Sequence, residues 1–262
     1  MDEPMTPHDL PFHHPQAFLD GQTMVVNKPL TWTSFDVVNK LRYALRGLTQ
    51  KKKIKVGHAG TLDPLATGVL VVCCGRATKT IDQLQAQDKE YLATIRLGAH
   101  TPSLDAETEV DAWASDPERV RCLSDEEVAK ALQAWTGTIE QKPPMYSAKK
   151  VDGERAYKAA RKGRDLALRT VQVQVHAMTS LGLRHEEVQG HPVVDVDVRI
   201  ACGKGTYIRS LARDVGQTLG VGGTLTKLER TASGPFRVEH AWELEDLVGQ
   251  ITANTQDSRE NA

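Results

Sequence analysis

"GHAGTLDPLATGVLVV", Gly57 to Val72, sets a single acid, Asp63, in a loop punctuated by glycine and proline, directly ahead of an apolar run. A proline ring pushes its predecessor out of the helical region, so Asp63 is expected on extended backbone and not on a helix. Gly57, Gly60 and Gly68 allow tight turns or close approach by another segment. The run that follows, "VLVVCC" (Val69 to Cys74), is short, wholly apolar and rich in β-branched residues. That is the pattern of a central strand buried on both faces.

Upstream, "MVVNKP" (Met24 to Pro29) reads as a short strand stopped by proline. In "TSFDVVNKLRYALRG", Val37, Val38, Leu41, Ala44, Leu45 and Leu48 share one helical face, with Ser34 as the expected N-cap. Downstream, a short helix around Thr80 to Gln85 precedes "KEYLATIRLG", which alternates with the period of a strand. "SDEEVAKALQAW" opens with Ser124 and Glu127 at capping-box spacing. Two alternating strands follow, "TVQVQVHA" and "VVDVDVRIAC", and then the helix of "GTYIRSLARDVGQTLG", ended by Gly220. Strands in groups with helices between, without a regular βαβα alternation, predict an α+β fold with a mixed, largely antiparallel central sheet flanked by helices.

A chain of 262 residues with 40% hydrophobic content has material for a sizeable core. No segment has the roughly 18 consecutive apolar residues of a membrane span, and the polar, proline-rich N-terminus lacks the apolar centre of a signal peptide. A cytoplasmic protein without membrane association is expected. Cys73, Cys74, Cys122 and Cys202 show no C-x-x-C pairing, which argues against a zinc site or a disulfide framework. The formal net charge of -1 hides strong segregation. Seven basic residues and no acid lie between Lys40 and Lys55. A second basic run lies between Lys142 and Arg169. Separated basic patches suit a phosphate backbone, although a single charge run is also an ordinary solvated face.

A desolvated carboxylate at Asp63 suits a nucleophile or base, provided a cation keeps it ionised. The plain alternative is an Asp-Pro turn. A phosphate-binding loop is excluded in detail, because Val69 and Leu70 stand after Gly68 where Lys and Ser or Thr are needed. His58 alone is not a metal site.

The stretch closely resembles the catalytic motif G-H-x-G-x-L-D-P-x-A-x-G-x-L of the TruB family of pseudouridine synthases. Other blocks of that family occur in order: "NKPLTWTS" (Asn27 to Ser34), "GRATK" (Gly75 to Lys79), "KEYLATIRLG" (Lys89 to Gly98), "PPMYSAKKVDGERAYKAARKG" (Pro143 to Gly163) and "CGKGTYIRSLARDVG" (Cys202 to Gly216). The resemblance runs from about residue 22 to about residue 240. It implies a pseudouridine synthase fold with an active-site cleft, over residues 22–250, flanked by flexible segments at 1–21 and 251–262. The activity it implies is cofactor-free and metal-free isomerisation of uridine 55 in the T loop of tRNA, with the target base extruded from the RNA.

By the same resemblance Asp63 is the essential carboxylate; attack on the sugar, addition to the base and removal of a sugar proton all stay open. Arg209 corresponds to the arginine that pairs with it, and Tyr91 to the tyrosine that stacks on the uracil, a core tyrosine being the alternative. Tyr207, Lys28 and Lys79 match residues that line or buttress the site. His58 matches the histidine that fills the gap in the RNA loop. Lys149 and Lys150 belong to a segment, about 143–169, that clamps RNA. Only a short polar tail follows "SGPFRVEHAWELEDLV", so the resemblance implies no PUA domain, no guide RNA and no obligate protein partner. "NKPLTWTS" departs from the commoner D-K-P-x-G-x-T-S of the family.

Overall fold

The computed structural model describes residues 10–147, 150–151, 154–155 and 168–260. In chain order its first elements are α1 (Pro15–Asp20), β1 (Gln22–Lys28), α2 (Ser34–Thr49), β2 (Val56–His58), β3 (Ala66–Cys74), α3 (Ile81–Ala86) and β4 (Lys89–Leu97). There follow α4 (Pro117–Arg121), α5 (Asp125–Ala134), β5 (Gly137–Gln141), β6 (Val171–Val188) and β7 (His191–Cys202). The last are α6 (Ile208–Thr218), β8 (Gly223–Ser233) and α7 (Leu244–Glu260), and several two-residue strands complete the set. The chain divides into two compact units, residues 1–90 with 229–262, and residues 91–228. The α+β class expected from the sequence holds.

In the first unit β3 lies next to β1, antiparallel to it from Gln22↔Cys74 to Lys28↔Gly68. Trp242–Glu243 adds a parallel strand to the far edge of β1. On the other edge of β3, β2 pairs antiparallel from Val56↔Cys74 to His58↔Val72. The unbroken apolar run has a simple cause. Leu70, Val72 and Cys74 face a core shared with Val37, Leu41 and Leu45 of α2 and Leu247 and Ile251 of α7. Val69 and Val71 face a second cluster with Ala59, against which Ile81 and Phe236 pack. A strand buried on both sides has no polar face to show.

Three details differ from expectation. The N-cap of α2 is Thr33, whose side chain accepts from Asp36 N while the Asp36 carboxylate accepts from Thr33 N. Ser34 is thereby released for another task. Residues 10–21, expected to be flexible, carry α1, and Leu10, Phe12 and Phe18 sit in the core beside α2. The expected C-terminal tail from residue 251 is the continuation of α7, with Ile251 wholly buried and Thr255 9% exposed. Both segments are ordered because they supply side chains to one core.

In the second unit β6 pairs antiparallel with β7 and with β5. The hairpin between β6 and β7 turns on Gln189 and Gly190, both at positive φ (52° and 77°), the requirement of a two-residue turn that follows strand twist. The Ser124 and Glu127 capping box on α5 is present as read. Helix α6 buries Ile208, Leu211, Ala212 and Val215.

Candidate active site

The residues singled out by the sequence fall into two polar centres, one within each unit. In the first unit, residues 59–65 connect β2 to β3 and carry Asp63, which is half-buried. The peptide groups around it are fixed. Leu62 N donates to Ser34 Oγ (2.9 Å) and Ser34 Oγ donates to Leu62 O (3.1 Å), inside the protein. On the other side, Pro64 O accepts from Thr31 N (2.8 Å) and from Lys28 Nζ (3.2 Å). Asp63 O accepts from Ala66 N at 3.0 Å. Thr31 makes its bond at φ +70°, a conformation costly for a branched residue and held by its surroundings.

Lys28, at the end of β1, is wholly buried. Its ammonium also donates to Pro29 O (2.8 Å) and Trp32 O (2.5 Å), so three protons meet three carbonyls. Burial pushes its pKa down to about 8, against the opposing fields of Asp63 and then Asp36, while Arg230 adds to the fall. Asp63 is therefore the carboxylate that acts most strongly on Lys28. At neutral pH the lysine keeps its proton, and its charge in turn favours ionised Asp63.

Arg230, on β8, is 1% exposed. It donates from Nε to Val69 O (2.7 Å) and from Nη2 to Gly60 O (3.1 Å), tying the loop to the start of β3. Gly68, at φ +95°, lies so close to β8 that a Cβ there would stand 2.3 Å from Arg230 O. No larger residue fits. His58 is half-buried, and burial first, then the Arg230 charge, lowers its pKa, which a bond to the Gly60 backbone opposes. The imidazole is neutral at pH 7, and its buried Nδ1 has no hydrogen-bond partner among the described residues. Lys79 is exposed on the 3-10 helix Gly75–Thr80.

In the second unit Arg209 lies in the first turn of α6 and is 3% exposed. Its Nη1 donates to Ser103 O (3.0 Å), its Nη2 to Tyr146 O (2.9 Å), and its Nε lies 3.4 Å from Asp105 Oδ2. The loop carrying Asp105 is tightly built. Leu104 stands at φ +63°, and Asp105 O accepts from Thr101 Oγ1 (2.8 Å) and Ser103 Oγ (3.1 Å). A fully charged guanidinium inside the protein needs an anion and filled donor positions, and this loop supplies both. Tyr207, the N-cap residue of α6, is clamped by the buried Gln141, which accepts from Tyr207 N (2.8 Å) and donates to Tyr207 O (3.1 Å). Tyr91 is 7% exposed on β4.

Within the first unit the structure thus places Asp63 in the field of Lys28, sets His58 in the field of Arg230, and leaves Lys79 at the surface. Within the second it anchors Tyr207 and Arg209, two positions apart at the start of α6. Lys149 lies outside the described residues, and of Lys150 only the backbone is described, in the short strand Lys150–Val151. Sequence reading missed Ser34 as a loop clamp, Arg230, Asp105 and Gln141. Among the described residues no group of three or more His, Cys, Asp or Glu side chains gathers as a metal ion would need. No helix among them is long and apolar enough to cross a membrane.

A carboxylate on a loop with bonded peptide groups, in the field of a buried ammonium, has the chemistry of a nucleophile or a base. Residues 46–208 match the N-terminal domain of TruB family pseudouridylate synthases. Residues 209–261 match the tRNA pseudouridylate synthase B C-terminal domain. The chain belongs to the TruB family of pseudouridylate synthases, and so is an isomerase that acts on RNA. It is 46% identical over 245 residues to the tRNA pseudouridine synthase B of Parabacteroides distasonis, covering 92% of this chain and 99% of that one. With the protein of the same name from Phocaeicola vulgatus it shares 48% identity over 230 residues, covering 88% and 93%. Among solved structures it is similar to a chain in the H/ACA ribonucleoprotein bound to a substrate RNA containing 2′-deoxyuridine. That match has 25% identity and a TM-score of 0.61, and spans 98% of this chain but 62% of the other.

Proposed function

We propose that the protein isomerises uridine 55 in the T loop of tRNA to pseudouridine, with Asp63 as the essential carboxylate and the target base flipped out of the RNA. The N1–C1′ bond breaks, the C5–C1′ bond forms, C5 loses its proton to solvent and N1 gains one. Nothing is oxidised or reduced, and the reading needs no cofactor. Arg209 and Tyr91 complete the catalytic set, and His58, Tyr207, Lys28, Lys79, Lys149 and Lys150 serve RNA binding or support the site. On this reading tRNA is engaged directly, without a guide RNA or a protein partner, in the cytoplasm.

The observation that carries the reading is the Asp63 loop, whose peptide groups are bonded on both sides of an acid lying beside buried Lys28. Such a build serves an acid whose position matters. A turn-forming Asp-Pro does not need it. The test is tritium release from tRNA labelled at uridine C5, with no nucleotide or metal added. Release is expected from tRNA carrying uridine 55 and none from tRNA with cytidine at that position. Equal release from both would refute the site assignment.

A further inference from the structure

The basic run that follows α2 forms part of a groove that the catalytic reading does not use. The groove has a volume of about 670 Å³ and lies between the C-terminal half of α2, the residues just after it, and α7. Lys40, Arg46, Lys51 and Lys52 line it, with Tyr43 at its edge and Val248 and Thr252 on the α7 side. Lys40 is partly neutralised by Glu245, 3.5 Å away. Arg46, Lys51 and Lys52 are exposed and make no ion pair with a described residue. Tyr43 is 80% exposed, a large aromatic left in water beside cations.

Cations crowded in one concave place repel one another, and an anion with several regularly spaced charges relieves that repulsion. An exposed aromatic ring among them adds a surface on which a sugar or base can rest. The groove also has a fixed relation to Asp63. Ser34, at the start of α2, holds Leu62, next to the acid. Helical rise then places Lys40 to Gln50 roughly 9–24 Å further along the same rigid element. That span suits RNA flanking the reactive nucleotide and is too long for the nucleotide itself.

We infer that this groove binds the phosphate backbone of the RNA substrate at a distance from the target uridine. The inference deepens the proposed function, on which it rests for the identity of the RNA. Its test reads binding, so it stands apart from turnover.

The measurement is the dissociation constant of full-length tRNA as a function of salt, for wild type, for the triple variant Arg46→Gln/Lys51→Gln/Lys52→Gln, and for Thr252→Lys. Each lost phosphate contact lowers the slope of log affinity against log salt by roughly 0.7–0.9, so the triple variant is expected to lose about 2 units of slope and roughly tenfold or more in affinity. Its turnover at saturating tRNA is expected to match wild type. Thr252→Lys adds a cation to the opposite wall and should steepen the slope by roughly one contact. Unchanged slopes in both variants would overturn the inference, and would leave the groove to an acidic protein partner or to no partner. If tRNA carrying cytidine at position 55 still released tritium while the triple variant lost affinity, the groove would stand and the site assignment would fall.

Discussion

Around Asp63, Ser34 and Lys28 bond to peptide groups on either side of the acid, whereas around Arg209 the carbonyls of Ser103 and Tyr146 and the carboxylate of Asp105 meet the guanidinium itself. The two centres hold opposite charges by different means. Around Asp63 the main chain is fixed through Ser34, Thr31 and Lys28, which on the proposed function sets the position of the carboxylate. At Arg209 the donors are committed to Ser103 O, Tyr146 O and the Asp105 carboxylate. The comparison teaches that a polar centre can be built by holding the main chain on either side of a charged residue or by holding a charged side chain through its own donors.

The contrast can be broken by substitution, and the largest structural effect is expected at the second centre. Asp105→Asn removes the anion beside a guanidinium that is 3% exposed, which should lower unfolding free energy by about 3–5 kcal/mol, as read by urea denaturation. A loss under 1 kcal/mol would mean that Arg209 does not depend on this pair.

At the first centre the test concerns position more than stability. Ser34→Ala leaves both polar groups of Leu62 without their buried partner, at a cost of about 1–3 kcal/mol. The resulting looseness should lower kcat by roughly tenfold or more while KM changes little. A rise in KM with kcat intact would assign Ser34 to RNA binding.

The smallest effect sharpens the role of Lys28. Its pKa in the fold is about 8 against an ordinary 10.5, so between those values the unfolded chain binds more protons than the folded one. Buried charge therefore costs stability below about pH 8, and that cost is relieved as pH rises toward 10.5. Wild type should gain stability relative to Lys28→Met across this window. Over the same range kcat/KM should fall as the ammonium beside Asp63 is lost. A flat profile through pH 8 would show that the charge is not needed.

Much of the fold was legible because periodicity and burial agree. β3 reads as a doubly buried strand and is one, and Ser124 with Glu127 caps α5 as their spacing requires. Misreadings occurred where local chemistry offers two answers. Thr33 and Ser34 are both good caps, and only the folded loop reveals that Ser34 is needed by Leu62 while Thr33 pairs with Asp36. The N-terminal segment looks solvated because its apolar residues, Leu10, Phe12, Phe18 and Leu19, are spread among prolines, histidines and acids, and the end of α7 does because polar residues predominate after Ile251. Arg230 lies in the charged stretch "KLERTAS", which gives no sign that a neighbouring loop will bury one of its cations. At the candidate site, motif residues were legible one by one. The groups that hold them, Asp105, Gln141 and Arg230, become partners only through tertiary contacts.

The most direct measurement is C5 tritium release by Asp63→Asn with wild-type enzyme alongside, together with tRNA binding by both. The substitution keeps size and shape but removes the charge and replaces one acceptor oxygen by a donor. Release should fall by at least about 10³-fold with tRNA affinity retained. Turnover by Asp63→Asn within a few-fold of wild type would contradict the account, because the loop's bonded main chain would then serve no reacting group.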